Sequence, residues 1–147
     1  MGSTFHSLHY HIVFSTKERR PLVRAAWRPR LHEYLGGTVR GLGGVAESVG
    51  GVEDHVHMLT SLKTTEAPAD IVREIKKASS VWVAQNHEPT FEWQEGYSIF
   101  SVSWTHVPVV RGYIAKQDEH HHGISYEEEL RRLLERNGVS YDPKWLG

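Results

Sequence analysis

The chain has 147 residues, 39% of them hydrophobic, and a formal net charge of −1, enough for one domain with its own core. It has no cysteine, which excludes disulfides, thiolate metal sites and a cysteine nucleophile. No apolar run approaches the roughly 18 residues of a membrane span, and no apolar leader opens the chain, so a cytoplasmic protein without a membrane partner is expected.

Residues 5–14, FHSLHYHIVF, read as a strand rich in aromatic and β-branched side chains. A polar turn, STKERRPLVR, follows. A helix is expected over 25–39, with Trp27, Leu31, Tyr34 and Leu35 on one face and Pro29 near its start. Two strands come next, over 45–49 and 54–61, with Gly50-Gly51 as the turn between them. In the second, His55, His57, Leu59 and Ser61 point one way and Val56, Met58 and Thr60 the other. Pro68 opens a helix over 68–85, striped by Ile71, Ile75, Ser79 and Trp82. After a turn-rich link, 97–104 reads as a fourth strand and 107–119 as a third helix with Pro108 in its first turn. Ser125 and Glu128 form a capping-box pattern for a helix over 126–136, which ends before Gly138. The last residues read as an extended tail anchored by Tyr141, Trp145 and Leu146.

This order is the ferredoxin-like split βαβ: an α+β fold with a four-stranded antiparallel sheet and helices on one face. One domain spans 1–147, with a core over about 5–122 and a C-terminal helical extension over about 123–147.

Charge is uneven. Residues 1–40 carry seven Lys/Arg against two Glu, while the remainder is acidic on balance. A basic N-terminal third can present one positive face to phosphates, although a solvated loop and helix explain the pattern equally well. Lys17, Arg19 and Arg20 are the first candidates for DNA phosphate contacts, followed by Arg24, Arg28 and Arg30. Arg73, Lys76 and Lys77 on the second helix join them. Such contacts are salt-sensitive and carry no sequence information. Trp93, Tyr97 and Phe100 are candidates for stacking on unpaired bases, with a place in the core as the plainer explanation.

Eleven histidines are many for this length. His55 and His57, two apart on a strand, put both imidazoles on one face, close enough to share a divalent ion. Two nitrogens make an incomplete shell, and a polar sheet surface accounts for the same spacing. His9 and His11 form a rival pair. The run His120-His121-His122 diverges around a helix by about 100° per residue and reads as a surface patch. Asp54 should face away from the pair if the strand is regular. Tyr113 and Gln117, four apart on the third helix, share a face. A tyrosine hydroxyl is a poor nucleophile until something stabilises its attack. An ion on a scissile phosphate would do so, with the Gln117 amide oxygen as a further ligand.

YHIVFSTKERRP at 10–21, GGVEDHVHMLTSL at 50–62, DIVREIKKASS at 70–80, GYSIFSVSW at 96–104 and VVRGYIAKQDEHH at 109–121 together span most of 6–122. In this order they closely resemble the single-tyrosine transposases of the IS200/IS605 type, including REP-associated tyrosine transposases. The resemblance implies a ferredoxin-like core with a His-hydrophobic-His metal pair at His55 and His57. It implies a tyrosine nucleophile at Tyr113 and a third metal ligand at Gln117. Magnesium or manganese is the implied ion, with no nucleotide cofactor. The implied partner is single-stranded DNA carrying imperfect hairpins at element ends. It is cut to leave a 5′-phosphotyrosine and a free 3′-hydroxyl, and rejoined. The resemblance further implies an intertwined homodimer in which the tyrosine of one subunit completes the other's site. The alternatives are a domesticated or inactive relative that binds hairpin DNA, and a ferredoxin-like domain with a structural or small-ligand role. The tail from 123 onwards exceeds the shortest family members and receives no role.

Overall fold

Alternation along β1 (His9–Ser15) divides the molecule into two cores. Ile12 and Phe14 point to one face of the sheet, and His11 and Val13 to the other. The computed structural model describes residues 2–120 and 123–146. Its four strands, β1, β2 (Val45–Gly51), β3 (His55–Ser61) and β4 (Ser98–Val102), form one antiparallel sheet in the order β2-β3-β1-β4. This is the split βαβ arrangement that the element order predicts, with β1 and β3 central.

α1 (Arg28–Gly41) and α2 (Pro68–Asn86) cover the first face. Leu31 and Leu35 of α1 and Ile71 and Ile75 of α2 pack on Ile12, Phe14, Val56 and Met58. The expectation of helices on one face alone is corrected: the second face is also covered. Val107 and Ile114 of α3 (Val107–Ala115) pack with Leu59 and Val102. Leu130, Leu133 and Leu134 of α5 (Tyr126–Arg136) pack with Val13 and Phe100. The physical reason lies in the strands. Their second face carries Val13, Leu59, Phe100 and Val102 besides the histidines, and that apolar surface must be kept from water.

Several boundaries differ from the expected ones. The first strand starts at His9, not at residue 5, and the fourth is limited to Ser98–Val102. Gly50 and Gly51 are not the turn. They close β2 opposite His57 and Val56, and the chain reverses over 52–54. A Cβ built on Gly50 would stand 2.3 Å from the Ile114 carbonyl oxygen, so the missing side chain lets α3 lie against β2. The helix expected to reach 119 breaks at Lys116 (φ −106°, ψ 25°), after which α4 (Gln117–His120) resumes. α5 has its expected bounds, with Ser125 Oγ accepting from the Glu128 N–H. In the tail Leu146 is buried and Tyr141 half-buried, but Trp145 is 78% exposed and anchors nothing. Of the histidine run, His121 and His122 lie outside the described residues. Among the described residues no helix is long and apolar enough to cross a membrane.

Candidate active site

β3 delivers His55 and His57 to the second face of the sheet, where both are buried. Their rings are 5.1 Å apart, and both Nε2 atoms aim at one point. That point is occupied by Glu129 of α5, which is only 1% exposed. Glu129 Oε1 lies 3.0 Å from His55 Nε2 and 3.0 Å from His57 Nε2. Gln117, at the start of α4, is also buried. Its Oε1 stands 3.1 Å from His55 Nε2, and its Nε2 donates to Glu129 Oε2 at 2.9 Å. Tyr113, on α3, donates its hydroxyl proton to Glu129 Oε2. The structure thus brings together all four site residues expected from sequence, His55, His57, Tyr113 and Gln117, within one chain.

The far sides of both imidazoles are held too. Asp54 Oδ1 is 2.7 Å from His55 Nδ1, and His11 Nε2 is 2.8 Å from His57 Nδ1. Two expectations are corrected here. Asp54 does not face away, because β3 begins only at His55 and the preceding residue is free of strand alternation. His9 and His11 are not a metal pair: His9 Nδ1 meets Glu47, while His11 supports His57. Ligand histidines fixed through their other nitrogen by a carboxylate or another polar group are the usual outer arrangement of a metal centre.

The electrostatics follow from burial and these contacts. Burial opposes a charge on His55, but hydrogen bonds to Asp54 and Glu129 and the charge on both carboxylates prevail, raising it to about 9. Burial, reinforced by neighbouring His57, lowers His11 to about 3 and keeps it neutral. Burial and then the Glu129 carboxylate push the Tyr113 hydroxyl well above the usual tyrosine range. Without a cation, the pocket therefore holds Tyr113 in its protonated form.

His55, His57 and Glu129 offer ligand atoms that all lie within 4.8 Å of one another. The buried amide oxygen of Gln117 joins them. Imidazole nitrogens, a carboxylate and an amide oxygen are a mixed set that suits a divalent ion. Beside Tyr113 opens a cleft of about 320 Å³ lined in part by His11, His106, Arg136 and Asn137.

The candidate DNA contacts are dispersed. Lys17, Lys76 and Lys77 line one shallow groove with Phe91 and Trp93 on the opposite side of the sheet from the histidines. Lys76 is half-buried and donates to the backbone oxygens of Gln94 and Gly96, and its burial lowers its pKa. Lys17 pairs with Glu92, Arg20 with Glu18, and Arg73 with Asp70. Arg19 reaches Glu127 of α5 at 3.5 Å. Of the proposed stacking residues, Trp93 and Phe100 are core and Tyr97 remains partly exposed.

The sequence reading missed Glu129. Its signal is faint but present: Tyr126, Leu130, Leu133 and Leu134 form the apolar stripe of α5, and Glu129 is the one acid set within it.

A family model described as IS200-like transposase matches residues 4–117. Among solved structures, a candidate transposase from Deinococcus radiodurans R1 is similar, with a TM-score of 0.60 and 22% identity over 80% of this chain and 96% of that one. A REP-associated tyrosine transposase bound to a REP hairpin is similar with a TM-score of 0.61 and 14% identity, over 82% of this chain and 74% of that one. No curated protein matches. The two structures share the fold with this chain, and the family match over most of its length carries the assignment: the chain belongs to the IS200-like transposase family.

Proposed function

We propose that this protein cuts and rejoins single-stranded DNA beside imperfect hairpins, with Tyr113 as nucleophile and a divalent ion, magnesium or manganese, held by His55, His57 and Gln117. The observation that carries the proposal is the convergence of the Tyr113 hydroxyl and both Nε2 atoms on one buried carboxylate. The candidate nucleophile and the candidate metal pair thus share one buried acceptor, as a metal-assisted attack requires. When bound, the ion would supply positive charge to a scissile phosphate oxygen.

The residues of this chain divide the rest of the work. His55 and His57 present neutral nitrogens once the proton on His55 is displaced, and Asp54 and His11 keep both rings oriented. Tyr113 gives its proton to the Glu129 carboxylate to which its hydroxyl donates, and its oxygen bonds to phosphorus. The bond from phosphorus to the 3′-oxygen breaks, and that oxygen takes up a proton. The products are a 5′-phosphotyrosine and a free 3′-hydroxyl. The phosphodiester energy is kept in the tyrosyl ester, so rejoining by attack of a 3′-hydroxyl requires no nucleotide cofactor.

The hairpin is proposed from the complex of the REP-associated relative. Lys17, Arg19, Arg20, Arg73, Lys76 and Lys77 are the proposed phosphate contacts, with cytoplasmic DNA as the place of action. A homodimer with composite sites is retained in the proposal; within the single chain Tyr113 also reaches Glu129 beside the histidines, and the two arrangements are separated by experiment.

The test uses single-stranded oligonucleotides carrying the palindromic flanks of the protein's own gene, with Mg²⁺ or Mn²⁺. Wild-type protein should form a covalent DNA adduct that EDTA abolishes. Tyr113→Phe should bind the hairpin and form no adduct. An adduct formed by Tyr113→Phe at the wild-type rate would overturn the assignment.

A further inference from the structure

We infer that Glu129, supplied by the C-terminal helix, is itself a ligand of the divalent ion and ties that ion to the nucleophile. Its Oε1 coordinates beside His55 Nε2 and His57 Nε2, while its Oε2 keeps the Tyr113 hydroxyl. The inference rests on the metal-dependent reading proposed above, and it makes α5 part of the catalytic centre.

The distances carry it. Glu129 Oε1 is 3.0 Å from each histidine Nε2, and Gln117 Oε1 is 3.1 Å from His55 Nε2. These are hydrogen-bond separations, and they gather two imidazoles, a carboxylate and an amide oxygen at one buried point where a small shift of the carboxylate lets them share an ion.

Charge points the same way. Two imidazoles and an amide form a neutral ligand set, which leaves the full charge of a divalent ion uncompensated in a buried pocket. One carboxylate halves that charge and adds the hard oxygen that magnesium and manganese favour. Glu129 is also an expensive residue to bury. An ionised carboxylate at 1% exposure is tolerated only with strong partners. Neighbouring Glu127 and Glu128 on the same helix stay at the surface and pair with Arg19, Arg131 and Arg132.

The helix that carries Glu129 is fixed in place. Leu130, Leu133 and Leu134 pack against Val13 and Phe100, and the Tyr126 ring lies 4.5 Å from that of His55. Glu127 is tied to Arg19 in the loop after β1. The carboxylate is held over the histidines by a packed element, as a ligand must be. Glu129 and the helix that carries it lie beyond residue 117, where the family match ends.

The experiment is a Mn²⁺ titration of the metal-free full chain by calorimetry and by the EPR signal of free Mn²⁺. Wild type, His57→Ala and Glu129→Gln are compared, with circular dichroism to establish folding. Wild type should bind one ion and His57→Ala none. Glu129→Gln should bind at least tenfold more weakly, and the rise in Tm that Mn²⁺ gives should shrink with it. If Glu129→Gln does not fold, Glu129→Asp replaces it. That variant withdraws the carboxylate by one methylene and should show the same weakening. Unchanged affinity in the Glu129 variant, with binding abolished in His57→Ala, overturns the role of Glu129 alone. Tighter binding also overturns it and identifies the side chain as a competitor for the ion. No Mn²⁺ binding by wild type, or wild-type binding by His57→Ala, overturns the metal site and this inference together.

Discussion

Tyr113 donates its hydroxyl proton to Glu129, and the other oxygen of that carboxylate lies 3.0 Å from His57 Nε2. One side chain from the C-terminal helix therefore links the candidate nucleophile to the candidate metal pair. Three elements meet at this point: β3 brings the histidines, α3 the tyrosine and α5 the acid. α3 and α5 pack on the sheet face to which β3 delivers the histidines, so the position of either helix sets the geometry at this point.

His11 should matter to metal binding although it is no ligand. Its Nε2 is 2.8 Å from His57 Nδ1, and burial keeps it neutral, so its bare nitrogen can accept a hydrogen bond from His57 Nδ1–H when Nε2 of that ring is needed for the ion. Loss of such an outer partner typically costs 10–100-fold in affinity. His11→Phe should weaken Mn²⁺ binding by roughly that factor. His9→Phe, which breaks only the contact with Glu47, should stay within about twofold of wild type. Equal effects from the two substitutions would remove His11 from the site.

The fold was legible because each strand and helix carries its own period. The alternation of 55–61 and the 3.6-residue stripe of 68–85 are sufficient to place β3 and α2. Strand alternation puts His55 and His57 on one face, while Tyr113 on α3 and Gln117 on α4 reach them across a break at Lys116 that the sequence pattern does not announce. Turn details were less legible. Gly50-Gly51 looks like a reversal, but Gly50 is small to admit the backbone of α3, a tertiary reason no local pattern carries. Asp54 lies one residue before the strand, so alternation does not govern its direction. Glu129 was unreadable for a different reason. Three successive glutamates look like a solvated helix face, and only the position of the third within an apolar stripe sets it apart.

Stability of the metal-free protein should peak near neutral pH. His55 is raised from 6.5 to about 9 in the folded state, so its contribution is complete below pH 6.5 and is lost as pH climbs through about 9. A shift of this size corresponds to on the order of 3 kcal/mol. His11 and His32 behave oppositely. Burial lowers them to about 3 and about 4, so folding stability falls as pH drops below 6.5 and the unfolded chain takes up their protons. Urea denaturation in EDTA across pH 4–10 measures both limbs. The His55→Gln variant should lose most of the alkaline decline; an unchanged alkaline limb would contradict the pairing of His55 with Asp54 and Glu129.

Gly50→Ala should impair catalysis without touching a reacting group. The added methyl meets the Ile114 carbonyl at 2.3 Å, against backbone that cannot swing aside. Overpacking of this kind costs about 1–3 kcal/mol. Ile114 adjoins Tyr113, so displacement of α3 moves the nucleophile from the pocket. Adduct formation should fall at least tenfold while Mn²⁺ affinity falls less, because the histidines of β3 are held by the sheet. Wild-type adduct yield from a folded Gly50→Ala protein would show that α3 need not sit against β2 for the reaction.

Mixing two inactive variants should not restore activity where each site is built from one chain. Tyr113 and Gln117 reach the histidines of their own chain, with Glu129 between them. A Tyr113→Phe protein keeps the metal pair and lacks the nucleophile, whereas His57→Ala keeps the nucleophile and lacks the pair. With the site built from one chain, neither the two homodimers nor a mixed dimer contains an intact set. An exchange of the tyrosine helix between subunits predicts otherwise. Half of the dimers in an equilibrated equimolar mixture would be mixed, each with one whole site, for roughly a quarter of wild-type sites. Co-expression of differently tagged variants, followed by purification through both tags and an adduct assay, separates the two arrangements. Background adduct levels from an isolated mixed dimer support the single-chain site; adduct at about half the wild-type level per dimer would establish exchange and place Tyr113 opposite the histidines of its neighbour.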